Sequence, residues 1–155
     1  MATTLEIIEA TAARLREKLP QFAVEFYPDK PREYRLNHPR GALLVSYAGS
    51  RYGNPDDTAY VAQRRTLQLT VNVVMRQLNG RGGAVEAIDA ARLALLGWRP
   101  PDCQKLRAAA ETYLGEQAGL WQYALDLSCE SVVIEDTVDT AGPLLTEVNY
   151  EDSEE

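Results

Sequence analysis

Three glycines lie close together in the stretch QLNGRGGAVEAID, where an alternating apolar segment turns into an alanine-rich helical pattern. A strand, a glycine turn and a helix form many phosphate-binding loops, because the amides at a helix N-terminus attract an anion. Gly83, however, is not followed by the Lys and the hydroxyl of a P-loop, and Gly80, Gly82 and Gly83 miss the dinucleotide-binding spacing. Arg81 could face an anion. We nevertheless interpret the turn as a bend that folds the helix back onto the strand, and we predict no cofactor.

Other groups that could perform chemistry stand alone in the sequence. His38 is the single histidine, in the proline-flanked stretch LNHPRG, and no nucleophile motif accompanies it. Asp56 and Asp57 are adjacent, so their side chains diverge, and further oxygen ligands for a metal are not found at useful spacing. We therefore predict no catalytic residue and no metal site. The alternative is a small α/β domain that binds a small molecule, or acts as an enzyme, through a pocket near His38 and Arg81.

Helical patterns lie at the N-terminus and after the glycine turn. Thr3 and Glu6 have capping-box spacing at the start of a helix that Pro20 ends. Apolar residues recur at three and four positions along one face of this helix: Leu5, Ile8, Ala12, Leu15 and Leu19. A second helix is predicted over residues 83–96, with Gly97 in the position of a C-terminal cap. Its inner face is formed by Val85, Ile88, Ala91 or Arg92, and Leu95.

Strands are predicted by alternation and by turn residues. In the clearest, TLQLTVNVVMR, apolar residues alternate with polar ones: Leu67, Leu69, Val71 and Val73. QFAVEFYP predicts a short strand with Phe22, Val24 and Phe26 on one face, ALLVSYAG a central strand, and LWQYALDLSC a further one. KLRAAAETYLGEQAG fits a helix by its alanines, but the turn at Gly119 favours a hairpin arm. The predicted fold class is α/β (α+β), with a mostly antiparallel or mixed sheet of four to five strands packed against two main helices.

Charge is unequally distributed along the chain. Of its 155 residues, those at positions 1–107 include all 16 Lys and Arg and 11 Asp and Glu, a net of +5. The remainder has 12 acids and no base, a net of −12. We predict one domain over residues 1–136 and a partly ordered acidic tail over residues 137–155. The tail is either a solvated segment or an acidic surface that meets a basic surface on another copy.

Segments that would direct the chain to a membrane are not recognisable in the sequence. No apolar run approaches the ~18 residues that a membrane helix needs. The N-terminus is amphipathic and of mixed charge, without the basic start and apolar block of a signal peptide. We therefore expect no membrane contact and a cytoplasmic location. Cys103 and Cys129 are too few for a disulfide framework.

A long polar stretch, SRYGNPDDTAYVAQ, separates two predicted strands. Residues 50–63 exceed the usual length of a connection, so we expect a loop that is mobile in the free protein and ordered in an assembly. Arginine and tyrosine are enriched in interface hot spots. We predict an assembly interface from this loop and from the two ends of the strand that follows it: Arg51, Tyr52, Tyr60, Arg64, Arg65, Arg76 and Arg81. For Arg64 and Arg65, a purely solubilising role is the alternative.

The order of these elements resembles the tail terminator (collar) family of Mu-type phages and related contractile-tail particles, which is akin to the lambda-type minor tail protein U. Four stretches carry the resemblance and span most of residues 1–135: LEIIEATAARLREKL, ALLVSYAGSRYG, RRTLQLTVNVVMRQLNGRGGAVEAIDAARLALLGW and GLWQYALDLSC. The resemblance implies a structural protein without a catalytic motif. Residues beyond Asp136 have no counterpart in it.

The resemblance also implies an assembly. Six copies would form a ring that caps the tail, stops tube and sheath from growing, and forms the head-proximal collar. Its partners would be other copies of itself, the tube and sheath proteins and, in a complete phage, head-completion proteins. DNA would only pass through. Assembly would take place in the cytoplasm of a bacterial host, as part of a phage, a defective prophage or a headless bacteriocin (tailocin).

Overall fold

A computed structural model of the protein describes residues 1–57 and 59–136. The predicted acidic tail, residues 137–155, lies outside the described residues, so its partial order stays a prediction. Two helices, five strands and a short 3-10 helix (Pro31–Glu33) are found in the described part of the chain. In chain order, the helices and strands are α1 (Thr4–Lys18), β1 (Ala23–Phe26), β2 (Gly41–Tyr52), β3 (Ala62–Met75), α2 (Ala84–Leu95), β4 (Arg107–Gln117) and β5 (Leu120–Ile134).

The strands form one mixed sheet in the order β1-β2-β3-β5-β4. β1 is parallel to β2, and every other neighbouring pair is antiparallel. Both helices pack on one face of the sheet, where the main hydrophobic core lies. The predicted fold class is thereby confirmed. In the predicted first strand, Val24 is buried as expected, but Phe26 is exposed at the outer end of this short edge strand.

α1 begins at the predicted capping box. The Thr3 hydroxyl accepts from the Glu6 amide, and the Glu6 carboxylate accepts from the Thr3 amide. The predicted apolar face is wrong at Leu5, which is exposed, because the buried stripe runs through Ile7 and Thr11 instead. A threonine fits this core because its hydroxyl donates to the Ile7 carbonyl one turn earlier.

β3 is the centre of the sheet, and its predicted alternation is confirmed. The four apolar residues predicted on one face are fully buried there: Leu67, Leu69, Val71 and Val73. Opposite them, β5 places Leu127 against Leu69 and Leu125 against Val71, so both strands turn apolar side chains toward the helices. The second face of β3 is mostly polar, and the helices do not cover it. This matches the expectation of one buried and one wetter face.

The predicted long loop is shorter than expected. β2 continues to Tyr52 and β3 begins at Ala62, so the connection is residues 53–61 rather than 50–63. Pairing decides this, because Tyr52 lies opposite Arg65 and the amide of Gly53 still donates to the Arg64 carbonyl. Polar side chains favoured a loop in the sequence, but backbone hydrogen bonds to a neighbouring strand do not depend on side-chain polarity.

α2 differs from its predicted face at one position. Val85, expected inside, is exposed, and the buried side is mostly alanine: Ala84, Ala87, Ile88, Ala91, Ala94 and Leu95. Small side chains let this helix approach the sheet closely. Gly97 follows the helix with φ +81°, which agrees with its predicted capping role.

β4 and β5 form the predicted hairpin. Ala118 and Gly119 both have positive φ, as a two-residue turn of the type I′ class requires. β5 is longer than predicted and continues past Cys129 to Ile134, because β3 pairs with it along its whole length. β4 lies at the sheet edge, and nearly all of its residues are exposed.

Candidate assembly interface

Four successive amides at the glycine turn before α2, those of residues 82–85, are already hydrogen-bonded within the protein. The amides of Gly83, Ala84 and Val85 donate to backbone carbonyls of the preceding turn, at 2.8–3.2 Å. The Gly82 amide donates to the Glu86 carboxylate, so an acid occupies the position that an anion would take. Backbone shape explains the glycines instead. Gly82 has φ +81°, and a Cβ on Gly83 would lie 2.7 Å from two backbone oxygens.

His38 has a structural role at the start of β2. Its Nδ1 accepts from the amides of Arg40 (3.1 Å) and Gly41 (3.3 Å). The Arg76 guanidinium donates to the carbonyls of His38 and Leu36, which fastens residues 27–40 to the end of β3. Arg81 is 97% exposed and lies 3.7 Å from a Glu86 oxygen. Neither of the two grooves described below is lined by His38 or Arg81.

The predicted interface residues fall at two opposite ends of the sheet. We call the end where β2 stops and β3 starts the loop end, since residues 53–61 lie there. The other end, at the Ala118–Gly119 turn, is the turn end. β3 has 14 residues, so these ends are about 45 Å apart. Five predicted residues belong to the loop end, whereas Arg76 and Arg81 lie beyond the last residue of β3. The structure does not bring all seven together.

Arg65 is not the exposed surface charge that its position at a strand entrance indicated. It is 7% exposed, and its guanidinium donates to the hydroxyls of Ser50 (2.9 Å), Thr4 (2.8 Å) and Tyr47 (3.2 Å). It also lies 5.7 Å from the centre of the Tyr47 ring. The hydrogen bond with Ser50, and then that with Arg65, lower the pKa of Tyr47. Arg65 therefore ties α1 to β2 and β3, and any assembly role for it stays a prediction.

The loop end has an exposed apolar patch that the sequence reasoning missed. Large side chains stand in solvent there, close to exposed Arg64: Tyr52, Tyr60, Val61, Val132 and Ile134. Pairing places Val132 opposite Arg64 and Ile134 opposite Ala62 on one face of the sheet, whereas Tyr52 lies opposite buried Arg65 on the other face. The amide of Glu135 donates to the Val61 carbonyl. We call these five residues with Arg64 the loop-end patch. The signal was the apolar run SVVI, beyond the predicted end of the last strand.

A groove of about 770 Å³ opens beside this patch, between residues 98–106 and the end of β5. Arg64 and Arg99 line it together with Asp102 and Glu130, so its charges are mixed. Cys103 lies at its base. A hydrogen bond from the Cys129 thiol lowers the pKa of Cys103 to about 7. The same contact, with burial, raises the pKa of Cys129, so the pair gives up one proton well before the other.

A second groove, of about 510 Å³, lies at the turn end, on the sheet face opposite the helices. Tyr27, Pro31 and Tyr34 form one side of it, and the β4–β5 turn forms the other. Among the residues that the structure describes, Arg32 and Arg35 are the only charged ones in its lining. Burial, and then the nearby Glu25 carboxylate, raise the pKa of Tyr34. We call this the turn-end groove.

Comparison with known families gives a match over nearly the whole chain. The Gp37 protein family matches residues 11–152. The chain belongs to the Gp37 protein family. The match runs past Asp136, so most of the acidic segment belongs to the sequence that Gp37 proteins share. A comparison with curated proteins gives no match.

Comparison with solved structures relates the fold of this Gp37 protein to a viral-like particle. It is similar to a chain from the virion of a native gene transfer agent (GTA) particle, with 16% identity and a TM-score of 0.53. The alignment covers 87% of this chain and 98% of that chain. The likeness shows that the two chains share a fold. Within the described residues, no helix is long and apolar enough to span a membrane.

Proposed function

We propose that this Gp37 protein is a tail terminator, a structural protein that caps the end of a phage-like contractile tail and stops tube and sheath growth. The observation that carries the proposal is the shared fold with a chain of the GTA virion, which is covered over 98% of its length. Family membership supports the same class of particle and favours a structural role over an enzymatic one. The resemblance to terminators narrows the role to the head-proximal collar.

The loop-end patch is the surface that we assign to the end of the tail. It combines aromatic and branched apolar side chains with Arg64, a composition typical of interface centres. Large apolar side chains clustered in solvent mark contact sites in soluble proteins. Arg64 on β3 and Val132 and Ile134 on β5 place half of the patch on rigid strands, and Tyr52 lies beside Arg51 at the end of β2.

The second part of the proposal is a closed ring of six copies. A ring needs two different surfaces on each subunit, because each copy contacts its two neighbours through unlike patches. The opposite ends of the long sheet could offer such surfaces, with exposed Arg51 and Arg64 at the loop end and exposed Arg76 and Arg81 at the turn end. Tube, sheath and, in a complete phage, head-completion proteins would be the other partners. DNA would only pass through the ring in the host cytoplasm and in the finished particle.

Electron microscopy of tails tests the terminator role. Tails made without this protein should be longer than normal and variable in length. Ile134→Asp combined with Tyr52→Ala should reproduce this result, because the changes remove apolar contacts from the loop-end patch without touching the buried core. Leu93→Asp, at an exposed position of α2, is the matched control and should give normal tails. Particles whose length does not depend on the protein would contradict the proposal, whereas normal tails from the double variant alone would contradict only the assigned surface.

A further inference from the structure

Arg32 and Arg35 give the turn-end groove a positively charged lining, with the Glu25 carboxylate near Tyr34 outside it. Arg32 and Arg35 are both exposed, and in the described residues neither side chain forms an ion pair or a hydrogen bond. The rest of the lining is apolar or uncharged, with tyrosine and proline on one side and Leu120 on the other. A groove with this lining suits an extended peptide that has apolar side chains and carboxylates together.

A segment of this composition is present in the same chain. Residues 137–155 read TVDTAGPLLTEVNYEDSEE, with six carboxylates and no base. Leu144 and Leu145 follow a proline, and carboxylates follow them at Glu147 and Glu151. The family match extends to residue 152, so this stretch belongs to the sequence that the family shares.

The groove and the start of this segment lie at opposite ends of the molecule. β5 begins at Leu120, in the groove, and ends at Ile134, and its 15 residues span about 45 Å. The direction of the strand is maintained at Glu135, whose amide donates to the Val61 carbonyl. Leu144 follows Asp136 by eight residues, which reach at most about 29 Å even when fully extended. The Leu144 side chain therefore cannot reach the groove of its own subunit.

We propose that the acidic segment of one copy, residues 137–155, binds in the turn-end groove of a second copy. Leu144 and Leu145 would pack against the tyrosines and prolines, and the following carboxylates would pair with Arg32 and Arg35. The contact joins the loop end of one subunit to the turn end of the next. Such a head-to-tail contact repeats with each added copy and closes into a ring or continues as a chain. The idea that this contact builds a six-membered collar rests on the proposed function, whereas the contact between two copies does not depend on it.

Charge reversal in the full-length chain tests this contact. One variant, Arg32→Glu with Arg35→Glu, makes the groove negatively charged. A second variant, Glu147→Lys with Glu151→Lys, replaces two negative charges of the segment with positive ones. Each variant alone should self-associate about tenfold more weakly than the unaltered chain in sedimentation velocity, because two ion pairs become two repulsive pairs. An equimolar mixture of the two variants should associate again, since the basic segment of one fits the acidic groove of the other. A contact within one subunit would not be restored by mixing.

A matched control changes the same net charge elsewhere. Lys18→Glu with Lys105→Glu alters two exposed cations outside the groove and should leave self-association unchanged. Association of the unaltered chain should also weaken as salt rises, because exposed pairs are screened beyond about 8 Å at physiological ionic strength. Circular dichroism identifies any variant that has lost its fold.

A labelled peptide of residues 137–155 provides a second measurement. It should bind the full-length chain in fluorescence anisotropy, and it should bind the groove-reversed variant about tenfold more weakly. The inference fails if the peptide does not bind, or if two folded variants do not associate when mixed. Tails that are overlong without the protein, together with a peptide that does not bind, would leave the terminator role intact and remove only this contact.

Discussion

β3 and β4 are strands of the same sheet, yet they contribute in opposite ways. β3 has 14 residues, pairs on both sides and buries every second side chain beneath the helices. β4 has 11 residues, pairs only with β5 and has no buried residue. Its links to the rest of the molecule, besides the ladder, are a ring contact between Tyr113 and Tyr123 and an ion pair between Arg92 and Glu111.

The two strands therefore differ in how much side-chain surface they bury, and not in whether they form regular strands. Buried apolar area is the largest favourable term in folding, so β3 should dominate the free energy of unfolding. β4 has small side chains, such as Ala108 and Ala110, that fit an edge strand without a helix above it. Substitutions in each strand measure how much that strand contributes to the stability of the protein.

Leu69→Ala in β3 should lower the free energy of unfolding by about 2–5 kcal/mol, because it leaves a cavity in the core beneath the helices. Leu114→Ala in β4 removes the same atoms from a side chain that is 50% exposed, and we expect a change within about 0.5 kcal/mol. Urea denaturation of both variants measures the difference. Similar losses at the two positions would show that β4 is buried in solution, by a partner copy or otherwise.

Arg65→Met should lower the free energy of unfolding by about 1–3 kcal/mol, because the hydroxyls of Ser50, Thr4 and Tyr47 lose a shared buried donor. Arg64→Met is the neighbouring control, and its effect should stay within about 0.5 kcal/mol, since Arg64 is exposed. Equal midpoints in urea for these two variants would contradict the assignment of Arg65 as an internal tie between α1 and the sheet.

Tyr113→Ala should cost about 0.5–1.5 kcal/mol, the usual contribution of an aromatic pair. The Tyr113 ring centre lies 5.3 Å from that of Tyr123. Hydrogen exchange should show faster opening of β4 amides in this variant and unchanged protection in β3. If β3 loses protection equally, the two strands unfold as one unit and the division between them is wrong.

The smallest expected effect is a shift in the pKa of Cys103, whose thiol is buried beside Cys129 of β5. Cys103 should ionise as pH rises through about 7, and Cys129→Ala should raise its pKa, because the thiol that donates to it is removed. Ultraviolet absorbance of the thiolate in a pH titration measures this. Cys103→Ala should eliminate the transition. Retention of the transition in that variant would assign the proton to another group.

Sequence patterns predicted those features that depend on nearby residues. The Thr3 capping box, the alternation from Leu67 to Val73 and the hairpin turn at Gly119 all depend on contacts within a few residues. The prediction that Arg65 is an exposed charge was wrong, because the side chains to which it donates, Thr4 and Ser50, are 61 and 15 residues away along the chain. No local pattern reports such a contact.

The candidate interface shows the same limit. Of the residues predicted around the connection of residues 53–61, Arg51, Tyr52, Tyr60 and Arg64 are exposed, whereas Val132 and Ile134 were not predicted. They join the patch only because β5 pairs with β3 along its entire length. Both residues are apolar and β-branched, and residues of this type in a strand are normally predicted to lie in a core. Whether they contact the tail stays a prediction.

Register shifts interrupt both sides of the described sheet, in β4 at one edge and, on the other side, in the part of β2 that β1 does not cover. β2 has one between Tyr47 and Gly49, and β4 has shifts between Ala108 and Ala110 and between Tyr113 and Gly115. Such bulges break the regular row of amides and carbonyls that a further strand would need, and they twist the edge away from a neighbour. These interruptions therefore disfavour the addition of further strands to the sheet, which a protein with the proposed terminating role has to avoid.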